Sequence, residues 1–239
     1  MGHDLITIYW IKAVEYGLAV SYLPLFFLFW KFASPKHPAP VAVRAVAPGW
    51  ADQLAGFFQV PATLFFHPGH TWVRLDGGDT VTVGISDFAQ KLVGPLDRIQ
   101  LPAVGASLAQ GEAAVALDAG GGSVPMLSPI DGTVIAVNPR LGETSGVVND
   151  SPYGDGWLLK VKASRLAGNL KSLMSGSLAD KWMDTVCESL GAEMAPMDLG
   201  KVYLDGGQLV SGLARSLSPD DWDRVARRFF LTEDGGHRA

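Results

Sequence analysis

From His70 to Ala163 the sequence is a succession of short apolar runs, each cut off by glycine or proline, and this pattern constrains the fold more than any other feature of the chain. "HTWVRL" (70–75) and "TVTVGI" (80–85) alternate in polarity and flank "DGGD" (76–79). Alternation has the period of a strand, and Asp-Gly between two such runs is a hairpin signal. "SDFAQKLVG" (86–94) predicts a short helix, with Ser86 placed to cap its start and Gly94 to stop it. "DRIQLP" (97–102) reads as a strand, "VGASLAQGE" (104–112) as a turn and "AAVALD" (113–118) as a strand. "GGG" (120–122) is a tip, followed by "VPMLSPIDGTVIAVN" (124–138), a strand, turn and strand, and "GWLLKVKA" (156–163) closes the set. Many short strands joined by tight turns predict a mainly β fold, a small antiparallel sandwich or flattened barrel.

The N-terminal segment has another character. Leu5 to Phe32 is apolar enough and long enough for one membrane span, which needs ~20 such residues. Within it, Lys12 and Glu15 share a helix face and can pair. Lys12 is expected to snorkel to an interface and Glu15 to meet a polar group of a neighbouring membrane subunit. Tyr9, Trp10, Tyr16, Tyr22 and Trp30 suit interfacial belts, and Pro24 would kink the helix. "MGHDLI" has no positive start and no small-residue cleavage site follows, so a secretory signal fits poorly. Lys31, Lys36 and Arg44 follow the span and only Asp4 precedes it, which orients the rest of the chain to the cytoplasm. These readings give an anchor over 1–32 and a Pro/Ala-rich linker and lead-in over 33–64.

Several chemistries are excluded or left without support. A net charge of −5 gives no basic stripe for nucleic acid. Cys187 is the single cysteine, so no disulfide can form within the chain. His67 and His70 in "HPGH" are two ligands where zinc needs about four. His3 is a lone terminal histidine, and the glycine runs lack the ending of a phosphate loop. No catalytic, cofactor-binding or metal residue is assigned, and neither a cofactor nor a small-molecule substrate is expected.

"HTWV", "VGISDFAQKLVG", "LPAVGASLAQGE", "SPIDGTVIAVN" and "NDSPYGDGWLLKVK" stand in the order and spacing of the glycine-cleavage-system H protein. Residues 65–165 therefore resemble that family, a relative of lipoyl and biotinyl carrier domains. The resemblance implies a hairpin whose tip carries a lysine bearing lipoic acid. Aligned on Ser128-Pro129, this chain puts Asp118 at the family's glutamate and Gly121 at its lysine. No lysine lies between Lys91, in the short helix, and Lys160, in the closing strand. A lipoyl amide needs a primary amine, so the expected module is non-lipoylated. The glycines are either a bare turn or a place where another surface approaches the backbone closely.

The C-terminal extension, 166–239, reads as helical. "SLADKWMDTVCESLG" (177–191) places Leu178, Trp182, Met183, Val186 and Leu190 on one face. "LGKVYLDGGQLVSGLAR" (199–215) reads as a strand or turn and then a short helix. "SPDDWDRVARRFFL" (218–231) suggests a helix with Ser218 as cap and Pro219 at its first position. Its aromatics either pack on the sandwich or dock another subunit.

Together these features predict a non-catalytic accessory or scaffold subunit, single-pass in the inner (cytoplasmic) membrane. Its partners would be the bilayer and other subunits of a respiratory or other redox complex, reached through the anchor and the C-terminal helices. The alternative is an adaptor or carrier component of a lipoate-dependent multienzyme system. A further alternative is a periplasmic membrane-fusion-type adaptor, which the charge bias and the lack of heptads oppose.

Overall fold

The computed structural model describes residues 54, 56–194, 204–205, 208–209 and 211–232, together with Lys12, Tyr16, Gly17, Val20, Tyr22, Pro24, Phe26 and Phe29. It divides into two compact units, Met1–Arg44 and Ala45–Ala239. In the first, those eight residues are helical and exposed. Among the described residues no helix is long and apolar enough to cross a membrane. The span expected over 5–32 falls mostly outside the described residues, as do Glu15, His3, most of the 33–64 linker and the flanking charges.

In the second unit the alternating runs become strands. They are β1 (Phe65–Phe66), β2 (Thr71–Gly77), β3 (Thr80–Ile85), β4 (Arg98–Gln100), β5 (Ser107–Leu108), β6 (Ala113–Ala119), β7 (Gly122–Leu127), β8 (Gly132–Val137) and β9 (Leu159–Ala163). One sheet has the order β1-β2-β3-β9-β8-β5 and the other β4-β6-β7, with every pairing antiparallel. Alternation decides what faces inward. Val115, Leu117 and Ala119 on β6, with Val124 and Met126 on β7, are buried against Val81, Val83, Val134 and Val161 of the larger sheet.

β3 departs from alternation: every residue from Val81 to Ile85 is buried, because this strand is covered on both faces. Its second cover is Trp72, fully buried, whose indole N–H donates to the carbonyls of Ile85 and Pro152 at 2.8 and 3.2 Å. Gly84 lies under that indole and has no room for a Cβ.

The helices are α1 (Asp87–Val93), α2 (Val147–Asp150), α3 (Leu166–Asn169), α4 (Ser177–Met194), α5 (Leu213–Leu217) and α6 (Trp222–Phe229). α1 begins and ends where the sequence indicates. Ser86 Oγ accepts from Ala89 N at 3.2 Å, and Gly94, at φ +88°, donates its N–H to Gln90 O. In the extension two details differ from expectation. α6 starts at Trp222, with Asp221 at its cap, because Ser218 ends α5 instead. Ser218 precedes proline and is extended, as the clash of a proline ring with the preceding residue requires. In α4, Met183 and Leu190 are buried and Trp182 and Val186 pack against the core as their spacing suggested, while Leu178 points to solvent at 58% exposure and Ala179 and Met194 are buried as well. The segment between α4 and α5 contains the pair β10 (Leu204–Asp205) and β11 (Gln208–Leu209).

The helices and the sheets share one core. Leu213, Ala214, Trp222, Ala226 and Phe230 join Phe88, Leu92, Val124 and Met126 in a single buried cluster. Of the two fates open to the extension's aromatics, packing on the sandwich is the one realised by Trp222 and Phe230.

Gly132 is the tightest backbone approach in the larger sheet, because a Cβ there would run into the carbonyl of Lys162 on the paired strand. Gly132→Ala is expected to cost about 1–3 kcal/mol through overpacking, read as a lower urea midpoint with an unchanged m-value.

Candidate functional site

The site to examine is the apex of the β6–β7 hairpin. Ala119 pairs with Gly122 and Asp118 with Ser123, which leaves Gly120 and Gly121 as a two-residue loop. Both have positive φ, +50° and +84°. Positive φ at both central residues is the I′ turn that matches strand twist, and glycine adopts it without steric cost. Gly121 therefore stands at the apex, where the alignment puts the missing lysine.

The apex is not bare. A Cβ on Gly120 would lie 2.7 Å from the guanidinium carbon of Arg215, and one on Gly122 would lie 2.7 Å from Cζ2 of Trp222. Gly121 alone faces open space. The Arg215 guanidinium is 5.1 Å from the centre of the Trp222 ring, a cation–π stack. Arg227 Nη2 donates to the carbonyl of Ser123 at 2.6 Å. From the other side, Gly120 N donates to Asp97 Oδ2 at 2.6 Å. α5 is fixed in turn by Gly212, at φ +89°, whose N–H donates to Lys91 O at 2.7 Å. A Cβ on Gly94 would stand 2.8 Å from Gly212 Cα, so two glycine backbones meet here. Nε and Nη2 of Arg215 are buried and find no hydrogen-bond partner among the described residues. That guanidinium is held by stacking, at some cost in desolvation.

Asp118, at the family's glutamate position, lies just below the apex. Hydrogen bonds from Ser123 and then Gln100 hold its carboxyl below the usual carboxylate range, and Gln100 Nε2 lies 3.0 Å from both oxygens. The two lysines bounding the gap are both engaged elsewhere. Lys91 Nζ donates to Phe57 O at 2.5 Å and Asp87 Oδ2 at 2.8 Å, clamping the lead-in to α1. Lys160 Nζ lies 2.7 Å from Asp76 Oδ2, in the middle of the larger sheet.

The "HPGH" pair is structural. His70 N donates to His67 O, closing a turn in which His70 has φ +64°. Its ring is fully buried, stacked on Phe88 at 4.3 Å and Trp182 at 4.7 Å. Burial, and then the neighbouring His67, push its pKa down to about 3. Among the described residues no group of three potential metal ligands occurs. Cys187 lines a cleft of about 380 Å³ with Leu54, Phe58, Met183, Asp184 and Glu188. Burial, then the charges of Asp184 and Glu188, raise its thiol to about 11, which leaves little thiolate at neutral pH.

The antiparallel two-sheet module with its glycine-tipped hairpin agrees with the lipoyl-like fold that the sequence resemblance implies. The family model for the glycine cleavage H-protein matches residues 64–186. The chain is 39% identical over 119 residues to the glycine cleavage system H protein of Marinobacter nauticus, an alignment covering 50% of this chain and 91% of that one. It is 41% identical over 130 residues to the glycine cleavage system H protein of Mycobacterium avium, covering 54% and 98%. A solved glycine cleavage system H protein from Mycobacterium marinum superposes with a TM-score of 0.44 at 22% identity, covering 53% of this chain and 98% of that one. The chain belongs to the glycine cleavage H-protein family. The match runs past residue 165 into the first half of α4.

The pairing of Arg215 and Trp222 with the apex was not readable from the sequence, because nearly a hundred residues separate them. The one available signal was three consecutive glycines where a turn needs only two.

His70 yields a pH test. The folded chain excludes its protonated form, whereas the unfolded chain protonates near 6.5. Stability is therefore full above that value and falls as pH drops through the window toward 3, by up to about 1.4 kcal/mol per pH unit. Urea titrations of the parent chain and of His70→Asn, a residue that tolerates positive φ, should show a flatter acid slope in the variant.

Proposed function

We propose that this chain is a cargo-free member of the H-protein family, an accessory or adaptor subunit that binds and positions other proteins. The observation that carries this reading is Gly121: the hairpin apex has no amine, and no lysine within the domain lies at a tip. Lipoate attachment forms an amide with a primary amine, and neither Asp118 nor Ser123 supplies one.

The N-terminal segment gives the proposal its membrane component. Tyr16 and Val20 lie on one side of the helical stretch and Tyr22, Phe26 and Phe29 on another, and all are exposed. An apolar surface on two sides of a helix calls for lipid or partner helices to cover it. We read the segment as an inner-membrane anchor, with the H-family domain on the cytoplasmic side and other membrane subunits as partners, in a respiratory or other redox complex.

The second reading, a component of a lipoate-dependent multienzyme system, is favoured by the relatives, whose names all place them in the glycine cleavage system. An adaptor role there is compatible with Gly121; a carrier role is not.

Intact mass separates the two roles. The chain purified from its own host is expected at the mass of the unmodified polypeptide, and an added lipoyl group at any side chain would establish a carrier. Purification in mild detergent is expected to retain stoichiometric membrane subunits. Recovery with lipoate-dependent enzymes instead would assign the adaptor to that system.

A further inference from the structure

We infer that residues 211–232 are a built-in occupant of the hairpin apex, seated where an enzyme acting on the tip would have to grip it. The inference goes beyond the cargo-free reading, since it concerns who can reach the apex and not what the apex carries.

Three observations converge. First, the contacts fall on the apex itself. Arg215 lies against Gly120, Trp222 against Gly122, and Arg227 bonds the carbonyl of Ser123. An occupant contacting only the body of the sheet would leave these positions free. Second, the contact uses the absence of a side chain. Any side chain at 120 or 122 would meet Arg215 or Trp222 well inside normal contact distance, so these two glycines do more than make a turn. Gly122 shows this most clearly, because its φ is not positive and turn geometry does not call for glycine there. Third, the occupant is tied down at both ends. Gly212 is seated against Gly94 and bonded to Lys91 O, while Phe230 is fully buried near His70. Trp222 itself is only 5% exposed. Gly120 and Gly122, on either side of the open Gly121, thereby form a seat for the chain's own helices. Any protein that binds this domain must use other faces.

Access can be read directly, because Gly121 itself has room for a side chain. Gly121→Lys in the full chain would place an amine at the apex, and the strain of a side chain at φ +84° is common to the variants compared. Incubated with a lipoate–protein ligase, lipoic acid and ATP, this variant is expected to be acylated at least tenfold more slowly than the same variant carrying Arg215→Ala and Trp222→Ala. Equal rates in the two, whether both fast or both absent, would overturn the inference, with a glycine cleavage H protein as the positive control. Amide hydrogen exchange supplies the second readout. Opening the clasp should speed exchange at 121–124 while β2 and β3 stay protected, and unchanged exchange at the apex would count against it. Should the double substitution disturb β2 and β3, the single variants Arg215→Ala and Trp222→Ala, each with Gly121→Lys, carry the same comparison. The outcome is independent of the mass of the parent chain, so the clasp and the cargo-free reading can fail separately.

Discussion

The arrangement depends on bare backbone. At Gly120 and Gly122 the main chain of the hairpin has no side chain on the face toward Arg215 and Trp222, and a guanidinium and an indole fill that space. This approach adds to the apolar seat that Leu213, Ala214, Trp222 and Ala226 have against Val124 and Met126. The same device recurs at the other end of α5, where Gly94 and Gly212 meet backbone to backbone. Close packing at near-crystalline density gives such contacts their specificity, since one methyl group is enough to be felt.

Around this contact, clusters of polar groups tie the rest of the unit. Asp87 is an example: its carboxylate accepts from Gln59 N, Gln90 Nε2 and Lys91 Nζ, so one buried side chain joins the lead-in to α1. Asp131 does the same for the β7–β8 turn, accepting from Gln110 N, Asn169 Nδ2 and Arg165. Asn169's bonds first, and Gln110's next, hold its carboxyl below the usual range despite the opposing effect of burial. Removing one partner from such a cluster leaves a polar group unpaired, which costs more than the bond was worth. The aromatic stack of His70 between Phe88 and Trp182 is the apolar counterpart, joining α1, α4 and the first turn.

For function, the consequence is a division between what the family hairpin usually offers and what this chain does with it. The strands, register and turn of the hairpin are kept because the core needs Leu117, Ala119, Val124 and Met126. The apex has neither the amine nor free access on the flanks of Gly121.

Much of this was legible in local sequence, where local physics decides. The β2–β3 hairpin, the capped α1 from Ser86 to Gly94 and the glycine turn at the apex each rest on a few neighbouring residues. The start of α6 and the outward turn of Leu178 in α4 were not, because Ser218 had two elements to serve and Ala179 and Met183 filled the core beside Leu178. The pairing of Arg215 with Gly120 and of Trp222 with Gly122 lay further out of reach. By itself the sequence determined that a mainly antiparallel domain would form and that its hairpin holds no lysine, since the first follows from side-chain period and the second from the residues themselves. Only the tertiary structure decided that the apex is covered and by what, because contact between residues a hundred positions apart depends on how whole elements pack.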